Sequence, residues 1–141
     1  MAKKLLIAGS ALALICSCNS MENPLLTESS APFGAPEFDK IKNEHYLPAF
    51  EAGIAEAKAE IDAIVANKEE PTFENTIEAM EVSGQTLNNV AGIFFNLMEA
   101  DTDDEMQQIA ESVSPMLTEY SMYVSLNNDL FQRVKAVYEK K

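Results

Sequence analysis

Apolar residues recur along most of this chain at spacings of three and four, the signature of helices that bury one face. Phe50, Ile54, Ala57, Ile61 and Ile64 make one such stripe, with Glu51, Glu56, Lys58, Glu60 and Asp62 on the other faces. Pro48 sits near the start of this helix, where a missing N–H is tolerated within the first turn. The helix is expected to end near Asn67, ahead of Lys68-Glu69-Glu70-Pro71.

A second helix is expected to open at Thr72 to Asn75, both good N-caps after Pro71. Its buried face reads Phe73, Ile77, Met80, Leu87, Val90 or Ala91, Phe94 and Leu97. Gly84 and Gly92 each weaken a helix by about 1 kcal/mol relative to Ala. The apolar spacing continues across both, so they are read as points of close helix contact, not as stops. Thr102-Asp103-Asp104-Glu105 has the form of a capping box, with Thr102 as N-cap and Glu105 reaching back. The third helix it opens carries Met106, Ile109, Val113, Met116, Leu117, Tyr120 and Val124, and Pro115 is expected to kink or split it. A fourth follows Asn127-Asn128, with Leu130, Phe131, Val134 and Val137 facing inward. It reaches Glu139-Lys140-Lys141 without a Gly or Pro stop signal, the expectation for a chain whose natural form continues. No alternating run suggests a strand. The pattern predicts an all-α fold, an antiparallel bundle or array of about four helices with short loops.

The first residues follow a different pattern. Lys3 and Lys4 precede an apolar run from Leu5 to Ile15, too short for a stable membrane span, which needs roughly 20 apolar residues. Residues 1–17 are therefore read as a secretory leader. Leu14-Ile15-Cys16-Ser17-Cys18 resembles a lipobox, and Cys18 is the expected lipid attachment site because small Ser17 precedes it, whereas Cys16 follows bulky Ile15. An ordinary leader with incidental cysteines is the alternative. Residues 18–37 are rich in Pro, Ser, Asn and Gly and read as a tether, in which Leu25, Leu26 and Phe33 are apolar enough to dock. Residues 38–141 form the expected helical body. This organisation predicts an envelope lipoprotein, anchored to a membrane and facing the periplasm or the outer membrane.

Charge narrows the partners. All 23 acidic residues follow the leader, against eight basic ones, so the remainder carries a net charge near −15. Such a surface repels phosphate backbones and argues against nucleic-acid binding. Both cysteines lie in or at the edge of the leader, which leaves neither a disulfide framework nor a thiolate zinc site beyond it.

The catalytic inventory is thin. His45 is the only histidine, and Glu44-His45-Tyr46 has no second His four residues on. It is read as a packing or capping residue near a helix start, and an intrinsic enzyme built on His45 is the least favoured reading. The cluster Asp101, Asp103, Asp104 and Glu105 lacks the alternation, central Gly and terminal Glu of a calcium loop, and helix capping accounts for it. Ser83-Gly84-Gln85 lacks the frame of a serine nucleophile. The seven Met and seven Phe fall mostly on helical stripes and read as core. Phe94-Phe95 is the candidate for an exposed apolar face, since neighbouring positions point in different directions. No catalytic or metal residue is assigned.

The order of short motifs is more telling than any one of them. Asn23-Pro24-Leu25-Leu26 is followed by Pro36-Glu37-Phe38-Asp39-Lys40-Ile41 and Glu44-His45-Tyr46-Leu47-Pro48-Ala49-Phe50. Ala59 to Ile64, Pro71-Thr72-Phe73-Glu74-Asn75-Thr76-Ile77 and Glu81-Val82-Ser83-Gly84 continue the series. Phe94-Phe95-Asn96-Leu97, Thr102 to Glu105 and Asn128-Asp129-Leu130-Phe131 through Val134 to Tyr138 complete it. This order resembles the N-terminal region of peptidyl-dipeptidases (dipeptidyl carboxypeptidases) of the thimet oligopeptidase family. The resemblance implies a zinc metallopeptidase that removes C-terminal dipeptides from oligopeptides in a deep channel between helical halves. It also implies that zinc sits on an HExxH helix and a further Glu downstream of this segment. The expectation is therefore a scaffold or channel-wall segment, inert alone, whose partners are the missing catalytic domain of the same enzyme and, through it, oligopeptide substrates. A free-standing helical lipoprotein that binds peptides or a protein partner is the alternative from another class.

Overall fold

A computed structural model describes residues 23–140; the expected leader, the expected lipobox and Cys18 lie outside the described residues. Among the described residues the regular structure is helical, as the apolar spacing predicts. Helix α1 spans Asn43–Ala66. A π-helical turn, Phe73–Glu78, runs into the three-residue α2, Ala79–Glu81. Helix α3 spans Gln85–Ala100, α4 Asp104–Ser125 and α5 Asn128–Glu139.

Helix α1 is the central rod. Its stripe Phe50, Ile54, Ala57, Ile61 and Ile64 is buried throughout, and it packs on α3, α4 and α5. Tyr46 and Phe50 meet Phe94 of α3 edge to face, with ring centroids 4.8 and 5.5 Å apart. Phe95 joins them, 6.2 Å from Phe50 and 5.2 Å from Phe94. The pair Phe94-Phe95 is therefore part of the core, not an outward face. Neighbouring helical positions lie about 100° apart, and a long ring at the rim of a stripe can still fold back onto it. The upper core is completed by Leu87, Val90, Met106 and Val113, and a lower cluster joins Ile61 and Ile64 to Leu130 of α5.

The contacts give the helix directions. Gly53 lies against Leu87, Ala57 against Gly84 and Phe50 against Phe94, so α3 runs antiparallel to α1. Asn43 bonds Asp103, Lys58 bonds Glu119 and Tyr123 bonds Asp62. The near-constant sequence offset of those pairs makes α1 and α4 parallel neighbours.

Several local expectations change. Gly84 has φ +70° and ends the second predicted helix, dividing it into the π turn with α2 and the separate α3. Glycine takes this left-handed conformation without the Cβ penalty other residues meet. Gly92 touches nothing within 4 Å of an added Cβ, so it is not a contact glycine. The close approach belongs to Gly53, where an added Cβ would stand 3.0 Å from the Leu87 Cα. Because α1 starts at Asn43, Pro48 falls in its second turn and withholds an N–H from the exposed Glu44. Helix α4 runs unbroken through Pro115, which lies on its exposed side. Phe73 and Phe131 are exposed, while Thr76 and Arg133 take the buried positions beside them.

Candidate functional site

His45 is placed by the start of α1. Its Nδ1 accepts the backbone N–H of Lys42, the N-cap residue of α1, at 3.0 Å, and its carbonyl accepts the Asn23 side-chain amide at 2.8 Å. The imidazole thus caps a helix, as read from the sequence. The carboxylates at 101–105 are likewise a helix start, with the register moved by one residue. Asp103, not Thr102, is the N-cap of α4: its Oδ1 accepts the Met106 N–H at 2.7 Å, and the Asn43 amide donates to both Asp103 and Glu105. The Met106 N–H and then the Asn43 amide hold the Asp103 carboxyl below the usual aspartate range. Ser83 Oγ donates to the Met80 carbonyl at 2.8 Å, a local turn bond.

Zinc does not fit these donors. Among the described residues no three His, Cys, Asp or Glu side chains converge as a metal set, and the Nδ1 of the one imidazole is engaged by a backbone N–H. No catalytic step is assigned to these side chains.

A residue that sequence reasoning left unmarked organises the lower end. Arg133 of α5 is only 8% exposed, and its guanidinium reaches across to the α1–π-turn connection. One terminal nitrogen donates to the carbonyls of Asn67 (2.8 Å) and Glu69 (3.4 Å). The other donates to Asn75 Oδ1 (3.1 Å) and Thr76 Oγ1 (3.4 Å), while Nε has no partner. Asn75 and Thr72 cap each other, and Asn75 Nδ2 donates to the Glu70 carbonyl. The signal was available: Arg133 stands three residues after Leu130 and four before Val137, on the inward stripe.

Two surfaces remain that are larger than packing requires. One is a groove of about 850 Å³ between the 24–41 segment and α3, lined by Leu25, Phe38, Ile41, Ile93 and the side chains of Asn88 and Asn96. Leu25 is buried there, whereas Leu26 and Phe33 stand in solvent, so one of the three apolar residues of the expected tether docks on the body. The other is the outward face of the C-terminal half of α4. Ser114, Pro115, Thr118, Ser121, Met122, Ser125 and the capping Leu126 are all exposed. From Ser112 to Leu126 the one charged residue is Glu119, which turns aside to Lys58 at 3.0 Å.

The chain is 44% identical over 119 residues to the dipeptidyl carboxypeptidase of Escherichia coli, a match that covers 84% of this chain. The chain carries the N-terminal region of the thimet oligopeptidase family. Oligopeptidase A of Salmonella typhimurium is 29% identical over 111 residues, and a thimet-like oligopeptidase of Dictyostelium discoideum 28% over 107. The chain spans only 18% of the length of the E. coli relative and 16% of oligopeptidase A. No protein-family model matches it. Asn75, Thr76 and His45, drawn from the motifs that carry the resemblance, are thus capping and hydrogen-bonding residues in this segment.

Proposed function

We propose that this chain is the N-terminal, non-catalytic segment of a zinc-dependent peptidyl-dipeptidase, which shapes a wall of the substrate channel while zinc chemistry resides elsewhere in the polypeptide. The observation that carries the reading is the 44% match to a dipeptidyl carboxypeptidase over 84% of the chain. The side chains agree with it, because the histidine and the carboxylates most suggestive of a site act as helix caps. In the whole enzyme zinc would polarise the water that attacks the peptide bond of an oligopeptide. The contribution of this segment is shape and support, with Arg133 binding the α1–π-turn connection to α5.

Genomic DNA read beyond codon 141 tests this. The same frame is expected to continue into an HExxH motif, and a verified stop codon at that position overturns the reading. The envelope assignment is part of the proposal and has its own check. Cells fed a labelled fatty acid should incorporate it into the protein through Cys18, and Cys18→Ser should abolish the label.

A further inference from the structure

The outward face of α4 changes character halfway along. In the N-terminal half it carries Asp104, Gln107, Gln108 and Glu111, as a solvated helix face does. In the C-terminal half the exposed positions are Ser, Thr, Pro, Met and Leu with a single charge, Glu119, which is paired with Lys58, in a chain with 23 acidic residues. These are poor choices for a helix in water. Ser and Thr are weaker helix formers than Glu, Lys or Ala, and an internal Pro removes a backbone bond.

The hydroxyls do not compensate by reaching outward. Ser112, Ser114 and Thr118 donate back to the carbonyls of Gln108, Ala110 and Ser114 at 3.0, 2.6 and 2.9 Å, and Ser125 does the same to Ser121. The face therefore brings four self-bonded hydroxyls, small side chains that allow close approach, and two large apolar groups, Met122 (53% exposed) and Leu126 (73%). Burial would leave little polar demand unmet.

We infer that the 114–126 face of α4 is the seat of the remainder of the same polypeptide, an uncharged apolar helix surface of the peptidase body. The inference rests on the reading of the chain as an N-terminal segment. The relative matched at 44% identity has 82% of its length outside the match, which supplies an occupant of sufficient size. An uncharged occupant suits this face, whose one carboxylate, Glu119, is already paired with Lys58, since a further charge docked there would be desolvated without a partner.

The test uses a full-length hybrid, the E. coli dipeptidyl carboxypeptidase with its matched segment replaced by this one, beside the present chain alone. The double substitution Met122→Asp with Leu126→Asp is introduced into both, and Gln107→Asp on the same helix serves as control. In the hybrid the double variant is expected to lower the unfolding midpoint by about 5 °C or more and to reduce peptidase activity, because two carboxylates are forced into an apolar interface. In the chain alone the same change should move the midpoint by no more than about 1 °C, since both side chains already face water. Gln107→Asp should be neutral in both. Equal effects of the double variant in the two contexts overturn the surface assignment while leaving the reading intact. An unsubstituted hybrid that neither folds nor cleaves overturns the reading, and the assignment falls with it.

Discussion

A methyl group added at Gly53 would stand 3.0 Å from the Leu87 Cα and 3.1 Å from its N, backbone that cannot rotate away. Ala is about 1 kcal/mol better than Gly in a helix, but prying α1 from α3 costs about 1–3 kcal/mol, so Gly53→Ala is expected to destabilise. Gly92→Ala places its methyl in open space and should gain up to about 1 kcal/mol; urea unfolding of the pair reads the opposite signs. Arg133 makes the second residue-scale prediction. Arg133→Met removes the donor to the Asn67 carbonyl, Asn75 Oδ1 and Thr76 Oγ1, of which Asn75 Oδ1 keeps the Thr72 N–H, and is expected to cost about 2–3 kcal/mol. Arg133→Lys should recover little, because an ammonium cannot span a fork of four acceptors. Neither Gly53 nor Arg133 was marked from the sequence. Arg133 stands at a core spacing that the sequence displays, whereas a glycine within an apolar stripe becomes informative only when the neighbouring helix is known.

At the scale of elements, the apolar stripes of α1, α3 and α4 were legible because spacing alone defines an inward face. Boundaries were less so, since they depend on which of several polar residues wins the cap. Thr102 and Asp103 both suit an N-cap, and Asp103 takes the role by accepting from Met106 while the Asn43 amide steadies its carboxylate. Asp103→Ala should fray the first turn of α4 in hydrogen exchange, and Thr102→Ala should leave it protected. The same carboxyl sets a pH dependence. Its folded-state pKa is depressed, so the stabilisation is present above the ordinary aspartate value and is lost as pH falls below it. Met106 amide protection should therefore fall on acidification, and in Asp103→Asn that dependence should disappear. The break at Gly84 was hidden because the apolar spacing resumes beyond it in nearly the same phase. The π turn was hidden for a related reason. Its wider winding moves Phe73 out to solvent and Thr76 inward, a shift no 3.6-residue template contains.

At the scale of the molecule, composition limited the chemistry more firmly than folding revealed it. A single histidine, no cysteine after Cys18 and a formal net charge of −13 argue against a thiolate site and a nucleic-acid surface. The order of motifs pointed to the family, and the comparisons agree with it. The surface on α4 was not read beforehand, because Ser and Thr in a sequence pass for solvated positions until their hydroxyls are seen bonded to their own helix. We propose that this segment supports a zinc enzyme without holding the metal. Native mass spectrometry of the purified chain after zinc loading and buffer exchange tests it most directly. The metal-free mass is expected, and one retained zinc ion per chain would overturn the proposal.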